Sequence, residues 1–118
     1  PTDDLRRQAF PVLTHAQIER LRPFGEERAI EPGELLFKTG DRSYPLVIVL
    51  EGRTEIVDRA GGEEHVLKQS GPGEFHAELG LLTGQTVFVD CRVAEPGRAL
   101  LVPPAAVAEV IRTVPDLG

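Results

Sequence analysis

Cysteine is nearly absent from this chain, basic residues form no run beyond the pair Arg6-Arg7, and no apolar stretch is long. Each shortage excludes something. Cys91 is the only cysteine, so no internal disulfide can form, and that usage fits a reducing, cytoplasmic setting. The 13 lysines and arginines are outnumbered by 19 aspartates and glutamates, for a formal net charge of −6. A surface of that sign without basic clusters does not neutralise a phosphodiester backbone, so direct nucleic-acid binding is not expected. Pro45-Leu-Val-Ile-Val-Leu50, the strongest apolar run, is far shorter than the roughly 20 residues of a membrane-spanning helix. No basic segment followed by a long apolar stretch opens the chain, so neither a secretion signal nor a membrane partner is expected.

Groups that carry chemistry are equally sparse. His15, His65 and His76 are scattered, no serine or cysteine has a nearby base in sequence, and no pair of histidines or carboxylates has metal-ligand spacing. No G-x-G-x-x-G fingerprint for a dinucleotide occurs. The segment therefore reads as non-enzymatic, with no catalytic residue, no metal and no cofactor of its own. Its 118 residues make one domain, 1–118, long enough to bury about two-thirds of the unfolded surface. It starts at Pro1 without methionine and stops at Pro115-Asp-Leu-Gly118, so a segment of a longer protein is expected.

What the chain does have is 12 glycines and 10 prolines, placed as corners. Glu31-Pro32-Gly33-Glu34, Gly71-Pro72-Gly73-Glu74 and Glu95-Pro96-Gly97-Arg98 each put proline where φ is already fixed and glycine where φ turns positive, the demand of a type II turn. Between them lie short β-rich runs at intervals of about ten residues. Strands are expected at 27–30, 34–38, 46–50, 53–58, 65–69, 86–93 and 99–102, with Ala60-Gly61-Gly62 closing a hairpin between Val57 and Val66. Gly33, Gly40 and Gly52 are read as turn glycines.

Thr14-His-Ala-Gln17 is a capping box that opens a short helix ended by Pro23, with Leu13, Ile18 and Leu21 toward the core. Pro104 begins a closing helix through Thr113 with Val107, Val110 and Ile111 on one face, and Pro115 ends it. The fold class is mainly β: an antiparallel β-roll or jelly roll of about eight short strands, with short flanking helices and one short inserted helix.

Four motifs carry a resemblance across Phe10 to Leu117: Phe10-Pro-Val-Leu-Thr-His-Ala-Gln-Ile-Glu-Arg-Leu21, Pro32-Gly-Glu-Leu-Leu-Phe-Lys-Thr-Gly-Asp41, Leu46-Val-Ile-Val-Leu-Glu-Gly52 and Gly73-Glu-Phe-His-Ala-Glu-Leu-Gly-Leu-Leu82. In this order and spacing they resemble the cyclic nucleotide-binding domain of catabolite activator proteins, cyclic-nucleotide-dependent kinases and gated channels. The resemblance implies a ligand pocket at His76, Ala77, Glu78, Leu79, Thr86, Val87 and Phe88. Within it Glu78 accepts from the ribose hydroxyl, and amides at the start of a short helix near Ala77 or Glu78 meet the phosphate.

The resemblance also locates a deficit. Where family members often carry Gly-Gln-Pro-Arg-Ser-Ala-Thr, this chain has Gly84-Gln-Thr-Val-Phe-Val-Asp90, so Val87 stands for the phosphate-binding arginine. Ala77 replaces the glycine that lets the backbone approach the sugar. Strand parity puts Val87, Val89, Cys91 and Val93 on one face and Thr86, Phe88, Asp90 and Arg92 on the other, so Arg92 does not substitute. It reads instead as a solvated residue pairing with Asp90 or Glu95. His76 reads as a lone, partly exposed histidine, and Cys91 as a buried, unreactive thiol.

The function expected is a regulatory ligand-sensing domain with weak or absent binding of cAMP and cGMP. Its partners would be a C-terminal effector domain of the same chain and a small-molecule ligand, with a homodimer also open. Two other readings stand beside it. Ala77-Glu-Leu-Gly-Leu-Leu-Thr-Gly-Gln85 and Arg92-Val-Ala-Glu-Pro-Gly97 also resemble roll domains fused to bacterial thioredoxin-reductase-like flavoenzymes, where FAD and NADPH would belong to the other part. The third reading is the sensor half of a Crp/Fnr-type transcription regulator.

Overall fold

The structure, a computed structural model, describes residues 12–76 and 85–113. The capping box forms as its residues dictate: the Thr14 hydroxyl accepts from the Gln17 amide at 3.1 Å, and the Gln17 side chain accepts from the Thr14 amide at 2.8 Å. Helix α1 (His15–Leu21) follows, and a 3-10 turn, Arg22–Phe24, carries Pro23. Then come β1 (Glu26–Ile30), β2 (Leu35–Phe37), β3 (Leu46–Asp58), β4 (His65–Ser70), β5 (Phe75–His76) and β6 (Asp90–Val102). Helix α2 (Pro104–Thr113) closes the described chain, with Val107 and Val110 buried. The Ile111 side chain and Pro115 lie outside the described residues.

Two long strands organise the sheet. β3 and β6 have 13 residues each and pair antiparallel from Leu46↔Val102 to Val57↔Asp90. β5 adds to the first half of β3 at Val47 and Ile48, and β4 adds to its second half from Thr54 to Asp58. β1 pairs with the last part of β6 and β2 with its beginning. Each half of the long ribbon thus has its own flanking strands, and the bend between the halves makes the roll.

The bend is where sequence reading placed two strand breaks. Strands expected at 46–50 and 53–58 are one strand, and 86–93 and 99–102 overlap another that runs through Pro96. The ladder slips three times between Val49 and Thr54. Gly52 takes φ +87°, and a Cβ there would sit 2.5 Å from the Pro96 carbonyl oxygen. Opposite it, a Cβ on Gly97 would lie 2.0 Å from the Glu51 carbonyl oxygen. Glu95-Pro96-Gly97-Arg98 is therefore no type II turn: Gly97 lacks a positive φ and serves instead to admit a neighbouring backbone. The corners at Pro32-Gly33 and Pro72-Gly73 do carry the positive glycine φ expected of them.

The start of β6 differs as well. Residues 85–88 lie outside any strand, because the Val87 amide donates to the Asp41 carbonyl at 3.0 Å and its carbonyl accepts from Gly40 at 2.9 Å, tying it to a turn. β5 was not expected, being only two residues long. Leu46, Val47, Ile48 and Val49 are all buried, so both faces of β3 are covered there. Leu46, Val47 and Ile48 join Leu13, Leu21, Phe37, Cys91, Val93, Leu100, Val107 and Val110 in one core. Each fully buried aliphatic side chain contributes about 1.5–3 kcal/mol relative to exposure.

Gly52→Ala is expected to lower unfolding free energy by about 1–3 kcal/mol, since the new Cβ meets backbone oxygens and the positive φ is strained. Gly61→Ala, also at positive φ but with open space around it, should cost less. Urea denaturation of both variants checks the order; equal losses would remove the close-approach explanation.

Candidate functional site

The residues singled out from sequence are placed differently from one another. Ala77, Glu78 and Leu79, with the expected short helix, lie outside the described residues. His76 and Val87 are buried, Thr86 is half-buried and Phe88 faces solvent at 76 % exposure. Val87 packs within the apolar core. The segment around them is fixed from two sides by the Val87 backbone bonds and by Asp90.

Asp90 is a buried anion with three donors. One carboxylate oxygen accepts from the Thr39 amide at 2.8 Å and the Thr39 hydroxyl at 3.0 Å, and the other accepts from Arg59 Nε at 2.7 Å. Burial by itself would raise its pKa, but the Thr39 amide, Arg59 and the Thr39 hydroxyl outweigh that and hold it below the usual range. The arrangement ties the turn after β2, the β3–β4 hairpin and the start of β6 into one unit. Arg92 does not pair with Asp90 or Glu95. Its guanidinium is held by Glu55, at 2.6 Å, and by Glu64, because β3 presents Glu55 directly opposite it while Asp90 is already taken by Arg59. Glu95 pairs with Arg53.

His76 is not partly exposed, as its isolation in sequence suggested, but buried at 2 %. Although its backbone pairs opposite Val47, its Nε2 lies 2.6 Å from the hydroxyl of Thr54, beyond the bend of β3. This contact joins the two halves of the roll. Burial, and secondarily the charge of Lys68, push the imidazole pKa down to about 3, so it is neutral at pH 7. Among the described residues His76 Nδ1 and the Ser70 hydroxyl are buried without a hydrogen-bond partner. Ser70 pairs with Thr54 across β3 and β4, placing three polar side chains inside an apolar roll. No local pattern signals this cluster; only the bend of β3 brings it together.

Among the described residues no lysine or arginine is buried in this interior. The buried polar side chains among the described residues are Thr54, Glu55, Ser70, His76 and Asp90, and none is a lysine or arginine. Arg53, Arg59, Arg92 and Arg98, on the hairpin and the two long strands, are each bound to a carboxylate.

The neutral buried histidine makes stability depend on pH. Its folded pKa lies below the unfolded value of 6.5, so the unfolded chain binds the extra proton first and acidification favours unfolding. Between pH 6.5 and about 3 this group should remove about 1.4 kcal/mol per pH unit. Denaturant titrations from pH 7 to 5 should show that slope in the wild type and lose it in His76→Gln; an unchanged slope would contradict a neutral buried imidazole. Asp90→Asn should cost about 1.5–3 kcal/mol, and far less once Arg59 is already replaced by glutamine. Additive losses in that double-mutant cycle would contradict the coupling.

Comparison with known proteins agrees with this geometry. A mycobacterial protein, an uncharacterized ABC transporter ATP-binding protein of Mycobacterium tuberculosis, is 37 % identical over 71 residues, covering 59 % of this chain and 21 % of its own length. The catabolite activator protein of Thermus thermophilus superposes with a TM-score of 0.72 at 24 % identity, over 87 % of this chain and 49 % of that one. A mutant regulatory subunit of a cAMP-independent protein kinase A from Trypanosoma brucei, bound to cAMP, gives a TM-score of 0.72 at 22 % identity, over 89 % and 39 %. The chain thus spans about a fifth to a half of these proteins. The sequence model of the cyclic nucleotide-binding domain matches residues 27–114, three-quarters of the chain. With the bent antiparallel roll and its short helices, that match makes this chain a member of the cyclic nucleotide-binding domain family, a regulatory rather than catalytic kind of domain.

Proposed function

We propose that this domain is a ligand-sensing regulator in which binding of cAMP and cGMP is weak or absent. One observation carries the reading: Val87, standing for the arginine that family resemblance assigns to the cyclic phosphate, is packed in the apolar core. No buried cation among the described residues takes its place. Losing one partner of a buried charge pair costs about 2–5 kcal/mol. The trypanosomal neighbour supports the reading, because the cAMP-bound form is a mutant whose three changes include threonine to arginine.

The partners that follow are an effector domain of the same chain and a small ligand, in a cytoplasmic setting. Among the described residues no helix is long and apolar enough to cross a membrane. A parent of the Crp/Fnr type has support in the half-length match to a catabolite activator protein. The thioredoxin-reductase-like parent finds no support in the relatives reported above.

Val87→Arg tests the proposal. Calorimetry should show cAMP affinity raised by about one and a half to three and a half decades over the wild type. The guanidinium, buried without its anion, should lower the melting temperature of the free variant, and cAMP should restore it. A folded variant with no gain in affinity would contradict the proposal.

A further inference from the structure

The outer surface carries a groove toward which Phe88, assigned by the family resemblance to the nucleotide pocket, is turned. A cleft of about 610 Å³ opens between the end of β3 and the segment leading into β6, lined by Thr39, Asp58, Arg59, Phe88, Val89 and Asp90 among others. Phe88 is the most exposed of the large apolar side chains described, at 76 %. A single exposed apolar residue is ordinary on a protein surface. This one is held outward by its neighbours: Val87 is buried and bonded to Gly40 and Asp41, and Asp90 is bonded to Thr39 and Arg59. Phe88 has no route inward without breaking both sets of bonds.

The charge of the cleft is equally fixed. Arg59 and Asp90 neutralise each other. Asp58 accepts from the Ala60 amide at 2.9 Å, which shapes the hairpin turn, and among the described residues it has no cationic partner. One carboxylate is therefore left over beside an aromatic face, in a chain whose net charge is −6. A ring face and an uncompensated carboxylate together suit a side chain with an apolar stem and a cationic head, whose cation also meets the quadrupole of the ring.

We infer that this groove is a docking surface for a basic protein segment, with an arginine or lysine stem laid across Phe88 and its head at Asp58. The groove shares only Phe88 with the pocket that the family resemblance implies, and the structure turns that side chain to the outer surface while Val87 enters the core. Aromatic side chains in such grooves commonly dominate binding energy at protein interfaces.

Nuclear magnetic resonance titration of the domain with a blocked peptide, acetyl-Gly-Arg-Leu-Arg-Gly-amide, reads the site directly. Saturable shifts should appear at Phe88, Asp58 and Ala60, and Phe88→Ser and Asp58→Asn should each weaken binding by about two- to fivefold, the size of an exposed cation–π contact. Both substitutions are on the surface, and unchanged melting temperatures establish that the variants stay folded. The glutamate counterpart of the peptide should not bind. No saturable shift, equal binding of the acidic peptide, or binding that neither variant weakens would overturn the inference, the last by showing only a general attraction to the net charge.

Discussion

The pairing of β3 with β6 is the constraint on which the other elements depend. Both strands run past the same bend, where Gly52 of one meets Pro96 and Gly97 of the other with backbone atoms too close to admit a Cβ. Straight strands of 13 residues would give an open ribbon with exposed edges. Bent together, they bring β5, on the first half of β3, over against Thr54 on the second half, and His76 closes the gap with a hydrogen bond. The interior exists because two glycines let two backbones touch.

Among the described residues that interior holds no cation, where the family resemblance places an arginine. His76, Thr54 and Ser70 supply uncharged polar atoms, Asp90 supplies an anion already saturated by Thr39 and Arg59, and Val87 supplies only bulk. A low dielectric is what makes a buried arginine valuable to a phosphate, and a mobile surface cation acts at lower strength. The same segment turns one side chain inward and the next outward. Val87 thereby helps to define the core while Phe88 gives the outer surface an aromatic face.

Much of this was legible in the chain. The capping box at Thr14, the Pro-Gly corners at Gly33 and Gly73, the hairpin at Gly61-Gly62 and the closing helix at Pro104 are local devices, fixed by residues within a few positions of one another. Long-range effects were not legible. Pro96-Gly97 has the composition of a turn, yet pairing with β3 keeps it inside a strand, and its glycine answers to Glu51, far away in sequence. Arg92 finds Glu55 and Glu64 rather than its neighbours because register, not sequence distance, sets cross-strand partners. His76 looked isolated for the same reason, since Thr54, its hydrogen-bond partner among the described residues, arrives through the bend.

The central claim is that the described residues of the roll offer no fixed positive charge to a cyclic phosphate. The most direct measurement is a nuclear magnetic resonance titration of the wild-type domain with cAMP, followed at the backbone amides of His76 and Val87. The account predicts shifts that remain linear and small into the millimolar range. Saturation at micromolar cAMP, with those amides moving together, would contradict it.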